Sequence, residues 1–259
     1  MDLVVQGRPL RIEHQWLGGE RAGRPLMVFL HEGLGSLAMW KDFPRRLVDA
    51  LGWRGLVYSR PGYGRSTPRA PGEAWAPDFM HRQAQQVLPA LLDSLGVDRP
   101  YFLFGHSDGA SIALLHAAAA PGRVAGAVVL APHILVEDLS VASIEKAREA
   151  YETTGLRERL ARYHDDPDSA FRGWNDIWLH PAFRGWNIEV ELQAIRCPLL
   201  AIQGLDDEYG TLAQIHGIAA RVPGTTLLEL PQCGHSPHRD QPERVIAAVQ
   251  AFVHGLSPA

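Results

Sequence analysis

Three short stretches carry the residue types that acyl transfer needs. GHSDG (105–109) holds Ser107 between two glycines, QGLDDEYG (203–210) holds Asp206 and Asp207, and PQCGHSPH (231–238) holds His235 and His238. A serine hydroxyl becomes a strong nucleophile when a histidine takes its proton and a carboxylate orients that histidine. His106 and Asp108 flank Ser107, yet consecutive side chains in a tight turn diverge, and a base must come within hydrogen-bond distance of the hydroxyl. The flanking residues are therefore expected to do other work. His106 would pack within the turn, and Asp108 would offer its backbone N–H. The partners are expected later in the chain, in the order serine, acid, histidine. His235 is the expected base, with His238 at the surface or in support. Asp206 and Asp207 both stand as candidate acids, and the one not used would be a turn residue.

Each stretch follows a run that reads as a strand. YFLF (101–104) leads into GHSDG, and the alanine-rich helical pattern Ser111–Ala120 follows it. A strand, a G-x-S-x-G turn and a helix together push the serine out at the end of a sheet, where the helix N-terminus favours developing negative charge. PLLAI (198–202) precedes the acids and TLLEL (226–230) precedes His235. Leu26–Leu30, Gly55–Tyr58 and Val124–Leu130 complete the strand set. Helical spacing marks Gln83–Leu95, with a break expected near Pro89, Thr211–Val222, with Thr211 as N-cap, and Pro242–Val253. Continuous apolar strands alternating with helices imply an α/β fold with a mostly parallel central sheet flanked by helices. The alternation stops between 133 and 195, a charged, Trp-rich stretch that reads as helices broken at Gly155 and repeats FRGWN at 171–175 and 183–187. The expected organisation is a core of 1–132 and 196–259 with an inserted helical cap at 133–195.

Composition removes several classes. The 259 residues are 46% hydrophobic, which suits one domain with a sizeable core. Net charge is −4 with no basic run, against a nucleic-acid surface. No apolar run approaches the ~20 residues that span a bilayer, and the N-terminus lacks a signal-peptide pattern, so a cytoplasmic protein with no membrane partner is expected. The two cysteines, Cys197 and Cys233, read as reduced buried thiols, with Cys233 near enough to His235 to line the site. The 12 histidines form no metal-ligand motif such as H-E-x-x-H, so no metal and no cofactor are expected.

HEGLGS (31–36), SRPGYGRS (59–66), GHSDG, QGLDD and GHSPH occur in an order that resembles the α/β-hydrolase-fold enzymes, over nearly the whole chain. The resemblance implies a helical cap and selects Asp207, third after Gly204, as the acid of a Ser107–His235–Asp207 triad. It also implies an oxyanion hole made by the backbone N–H groups of Asp108 and Gly33. Glu32 stands where the family commonly has glycine. The implied activity is hydrolysis of a carboxylic ester, or of a thioester or lactone, through an acyl-enzyme. Carbon–carbon bond hydrolases and cofactor-free haloperoxidases share the triad, and some proteins of the fold act as ligand receptors. If Glu32 and Asp108 point inward they would repel anions and favour a neutral ester; if they turn away they are structural. Phe171, Trp174, Trp178, Phe183 and Trp186 either line an acyl pocket or pack the cap down, with one or two expected to reach the site.

Overall fold

Six of the apolar runs become neighbouring strands of one sheet. The computed structural model describes residues 1–19 and 23–256; residues 20–22 and 257–259, within the expected core ranges, lie outside the described residues. In chain order the strands are β1 (Asp2–Val5), β2 (Arg8–Arg11), β3 (His14–Leu17), β4 (Leu26–Leu30), β5 (Arg54–Tyr58), β6 (Tyr101–His106), β7 (Val124–Leu130), β8 (Leu199–Gly204) and β9 (Thr226–Leu230). β1 and β2 form a separate antiparallel hairpin, and the other seven are ordered β3-β5-β4-β6-β7-β8-β9. β3 runs antiparallel to β5, and the remaining neighbours pair in parallel.

The central strands are apolar throughout because both faces are covered. Val28 and Leu30 of β4 face one core, while Met27 and Phe29 face the other. β8 divides in the same way, with Leu199 and Ala201 opposite Leu200 and Ile202. Side chains alternate across a strand, so two buried faces require an unbroken apolar run. β9, at the edge, keeps Leu230 buried and exposes Leu227.

Expected and observed elements differ in a few places. The break expected near Pro89 is a π-turn at Gln83–Val87, between helices Phe79–Arg82 and Leu88–Ser94. Pro89 lies in the first turn of the second helix, where its missing N–H costs no helical bond. The helix expected from Thr211 begins at Ala213, although the Thr211 hydroxyl accepts from the Ala213 amide at 3.2 Å. The hairpin β1–β2 and the edge strand β3 were not anticipated: their burial is partial and their apolar residues few.

Between β7 and β8 the chain leaves the sheet. It forms helices Asp138–Thr153, Leu156–Leu160, Pro167–Trp178 and Glu189–Leu192, with one isolated bridge, Leu135–Asn187. Gly155 lies at the first break, as expected.

Candidate active site

The loops at the C-terminal ends of the parallel strands converge at Ser107, the region where sheets of this kind build sites. Ser107 follows β6 and has φ 54° and ψ −122°, a conformation that L-residues rarely adopt. Such strain is held only where surrounding contacts over-determine it. Here the Ser107 amide donates to the Leu130 carbonyl at 2.9 Å, and its own carbonyl accepts from Ala110 at 2.8 Å and Ser111 at 3.0 Å. Both glycines of GHSDG are needed for close approach. A Cβ on Gly105 would strike the backbone of Gly109 and Ala110, and one on Gly109 would strike the Leu30 and His31 carbonyls.

His235 and Asp207 reach Ser107 from the loops after β9 and β8. His235 Nε2 lies 2.9 Å from Ser107 Oγ, and His235 Nδ1 lies 2.8 Å from Asp207 Oδ1. With Nδ1 protonated, the ring donates to the carboxylate and accepts the serine hydroxyl. Asp207 also accepts from the Tyr209 amide at 2.8 Å and from Gln203 Nε2 at 3.1 Å. Burial opposes its charge, but hydrogen bonding to His235, the charge of that ring and the Tyr209 amide together hold its pKa below the usual carboxylate range. Asp206, the other candidate acid, is exposed, and its amide donates to the Cys233 carbonyl.

Gly33 and Ser107 line a common cavity of about 180 Å³ with Asp108, Leu34, His133 and Tyr209. Among the described residues neither the Gly33 nor the Asp108 amide donates to another backbone group. The indole of Trp174 lies against Gly33, where it leaves no room for a Cβ.

The two acids of this region do not form an unopposed pair of charges. Asp108 is fully buried and its carboxylate is engaged by neighbouring side chains. Its Oδ1 accepts from Trp178 Nε1 at 3.1 Å, and its Oδ2 lies 4.0 Å from the buried guanidinium of Arg60. Burial raises its pKa to about 6, against the lowering influence of Arg60 and Trp178. Glu32 does face the cavity, with its carboxylate 3.6 Å from His106 Nδ1 and 3.6 Å from Arg239. Burial works against that charge, yet His106 and Arg239 hold its pKa well below the usual range.

The helix Pro167–Trp178 forms the opposite wall. Asp166 caps it by accepting from the Ser169 amide at 2.8 Å, and Pro167 fits its first turn. Its apolar positions 171, 174, 177 and 178 fall on one face and are buried. Trp174 and Trp178 reach the cavity, joined by Ile144. The remaining aromatic candidates do not: Phe171 stacks on Tyr151 at 3.7 Å, and Trp186 stacks on Phe183 at 5.3 Å, away from Ser107. Of the two roles expected for Trp186, lining the pocket and packing the cap, its place on Phe183 outside the cavity lining fits packing. The hydroxyls of Ser140 and Ser143 on the helix Asp138–Thr153 donate to the Tyr209 and Glu208 carbonyls, tying the inserted segment to the loop that carries Asp207.

Several further residues support this arrangement. His106 is buried as expected, and its Nε2 donates to the His235 carbonyl at 2.7 Å, anchoring the base loop. His238 is buried between Trp40 and His106, and burial lowers its pKa well below the usual value. It is not a surface residue. His133 lies 5.8 Å from the His235 ring, and burial lowers its pKa to about 3. Arg60 donates to the Glu32 carbonyl at 2.7 Å. One signal could have found Arg60 and His133: like His31, each follows a parallel strand by one to three residues. Cys233 is buried outside the cavity lining, hydrogen bonded weakly to Gly234 and Asp240. Among the described residues no group of three or more His, Cys, Asp or Glu is placed to hold a metal, and no helix is long and apolar enough to cross a membrane.

A family model described as the alpha/beta hydrolase family matches residues 27–248. A protein of Caulobacter sp. (strain K31), provisionally named carbamate hydrolase RutD, is 27% identical over 264 residues, covering 93% of this chain and 95% of its own length. The 2-hydroxy-6-oxo-6-phenylhexa-2,4-dienoate hydrolase of Burkholderia cepacia is 23% identical over 239 residues, covering 81% of this chain and 80% of that protein. A solved thermophilic esterase from Thermogutta terrifontis superposes with a TM-score of 0.72 at 19% identity, covering 100% of this chain and 99% of that one, which shows a shared fold.

Proposed function

The chain belongs to the alpha/beta hydrolase family, and on that footing we propose that it cleaves a small neutral carboxylic ester through an acyl-enzyme on Ser107. The observation that carries this reading is the continuous chain Ser107 Oγ to His235 Nε2 at 2.9 Å and His235 Nδ1 to Asp207 at 2.8 Å. His235 takes the hydroxyl proton as Ser107 Oγ attacks the ester carbonyl, and Asp207 stabilises the imidazolium that forms. The Gly33 and Asp108 amides hold the oxyanion of the tetrahedral intermediate, each such donor contributing about 3–4 kcal/mol to the transition state. Collapse breaks the bond to the alcohol oxygen, which leaves with the proton from His235. Water then attacks the acyl-enzyme, with His235 again taking the proton, and Ser107 is restored as the acid departs. No cofactor or metal enters these steps.

Residues 133–195 act in this account as a cap that presents Trp174 and Trp178 to the substrate and screens it from water. The cavity of about 180 Å³ supports a short acyl group, and its apolar wall supports an uncharged one. The experiment is hydrolysis of neutral p-nitrophenyl esters of increasing acyl length by wild type and Ser107→Ala. Repeated turnover by wild type, best on short chains and abolished in the variant, is expected; activity retained by the variant would overturn the reading. A second reading, carbon–carbon bond hydrolysis, draws on the name of the Burkholderia cepacia relative, and wild type inert on every ester but active on a vinylogous diketone would favour it.

A further inference from the structure

Glu32 is not accounted for by acyl transfer. An ionised carboxylate one residue from an oxyanion donor opposes the negative charge that must develop there. Its position is fixed: the Glu32 carbonyl accepts from Arg60 at 2.7 Å and from the Gly35 amide at 3.1 Å, and a Cβ on Gly35 would collide with the Glu32 carboxylate. The side chain keeps 17% of its surface open. Its oxygens face His106 and Arg239 at 3.6 Å, close enough to hold the charge and too far for hydrogen bonds. Among the described residues no group donates a hydrogen bond to this carboxylate. Asp108, by contrast, is already bound to Trp178. Asp108 Oδ2 also lacks a donor, but it is fully buried against the Arg60 guanidinium at 4.0 Å. Glu32 is the cavity carboxylate that stays partly open, beside the place where the scissile carbonyl must sit.

We propose that Glu32 is a specificity-determining residue that accepts a hydrogen bond from a neutral hydroxyl on the substrate, one or two carbons from the scissile carbonyl. This rests on the serine-hydrolase reading above. A charged donor fits less well, because Arg239 and the buried Arg60 already oppose a further cation near Glu32. A substrate carboxylate would meet Glu32 directly. A neutral hydroxyl meets neither objection, and by engaging the Glu32 charge it reduces the repulsion on the forming oxyanion. A hydroxyl-free analogue leaves that charge unengaged, the circumstance in which a polar site discriminates most strongly.

The test is kcat/KM on two matched pairs, methyl 2-hydroxybutyrate against methyl butyrate and 2-hydroxyethyl butyrate against ethyl butyrate, for wild type, Glu32→Gln and Glu32→Gly. Covalent labelling of each protein by a fluorophosphonate is measured alongside. A hydrogen bond to a charged acceptor corresponds to a preference of roughly 10- to 150-fold for the hydroxylated member of one pair. The expected result is that preference in wild type, reduced in Glu32→Gln and lost in Glu32→Gly. Glu32→Gln keeps the shape of the side chain, so a folding defect in Glu32→Gly alone leaves the answer readable. A merely structural Glu32 would slow both members of a pair together and leave their ratio alone. Labelled, active wild type with no preference, or a ratio that neither variant moves, overturns the Glu32 inference and leaves the serine-hydrolase reading standing. Wild type that neither labels nor turns over any of the four esters overturns both.

Discussion

The cavity around Ser107 has two walls built on different principles. The wall from the strand ends is polar, and hydrogen bonds and ion pairs to neighbouring backbone and side chains fix its groups. Ser107 is set by a strained turn, and Asp207 by the Tyr209 amide and Gln203. The wall from the helix Pro167–Trp178 is apolar, and packing fixes it: Trp174 against Gly33, Trp178 near His133. Among the described residues one side-chain hydrogen bond joins the turn at Ser107 to this helix, from Trp178 to Asp108. On the proposed reading, the first wall carries the acyl-transfer groups together with Glu32, whereas the second sets the size and shape of the acyl group that fits.

Changes in the polar wall should therefore cost the most. Asp207→Asn keeps the shape but removes the charge that orients His235, and kcat is expected to fall by about 10⁴-fold with little change in KM. Steady-state kinetics on the best short ester checks this. A loss of tenfold or less would mean that the carboxylate does not serve His235. In the apolar wall, Trp174→Ala should shift the acyl-length optimum toward longer chains by about tenfold in relative kcat/KM. Trp186→Ala, which lies behind that wall, should lower stability and leave the length profile alone. A length profile that moves with Trp186 and not with Trp174 would reverse the assignment of the two indoles.

The link between the walls gives a smaller effect. Trp178→Phe keeps the aromatic body and removes the N–H, leaving Asp108 Oδ1 buried without its donor. Unfolding free energy is expected to drop by about 1–3 kcal/mol, measured by denaturant titration. An unchanged midpoint would show that Arg60 suffices for Asp108.

The smallest effect concerns acid stability. Folded His133 resists protonation until about pH 3, whereas the ordinary value is 6.5. The unfolded chain thus binds a proton that the folded one refuses across that window, so falling pH favours unfolding there. Stability should decline from pH 7 to pH 5 in wild type and decline less in His133→Asn, as read by unfolding midpoints at the two values. Equal declines would remove His133 as the cause.

The same division explains what the sequence disclosed. β4 and β7 match their apolar runs residue for residue, because a strand buried on both faces must be apolar throughout. Ser107 and His235 could be singled out because each sits in a short turn whose glycines and preceding strand are visible locally, whereas the residues left Asp206 and Asp207 as alternatives that only the family resemblance separated. The aromatic residues of 171–186 were legible as buried but not as cavity-lining. All five are apolar and sequestered from solvent, and which indole turns toward Ser107 depends on helix rotation and on distant partners such as Trp75 and Tyr151. Arg60 was missed, and His238 was left between the surface and a supporting place, for a related reason: a buried charged or imidazole side chain is paired or neutralised by groups far away in sequence. The orientation of Asp108 followed the same rule, since its partner Trp178 lies 70 residues on.

The central claim is that Ser107 is the nucleophile activated by His235. The most direct measurement is stoichiometric labelling with a fluorophosphonate, followed by peptide mapping of wild type, Ser107→Ala and His235→Ala. The account predicts one label per chain on the peptide that contains Ser107, none in Ser107→Ala, and labelling slowed by several orders of magnitude in His235→Ala. A label on any other residue, or equal labelling rates in wild type and His235→Ala, would contradict it.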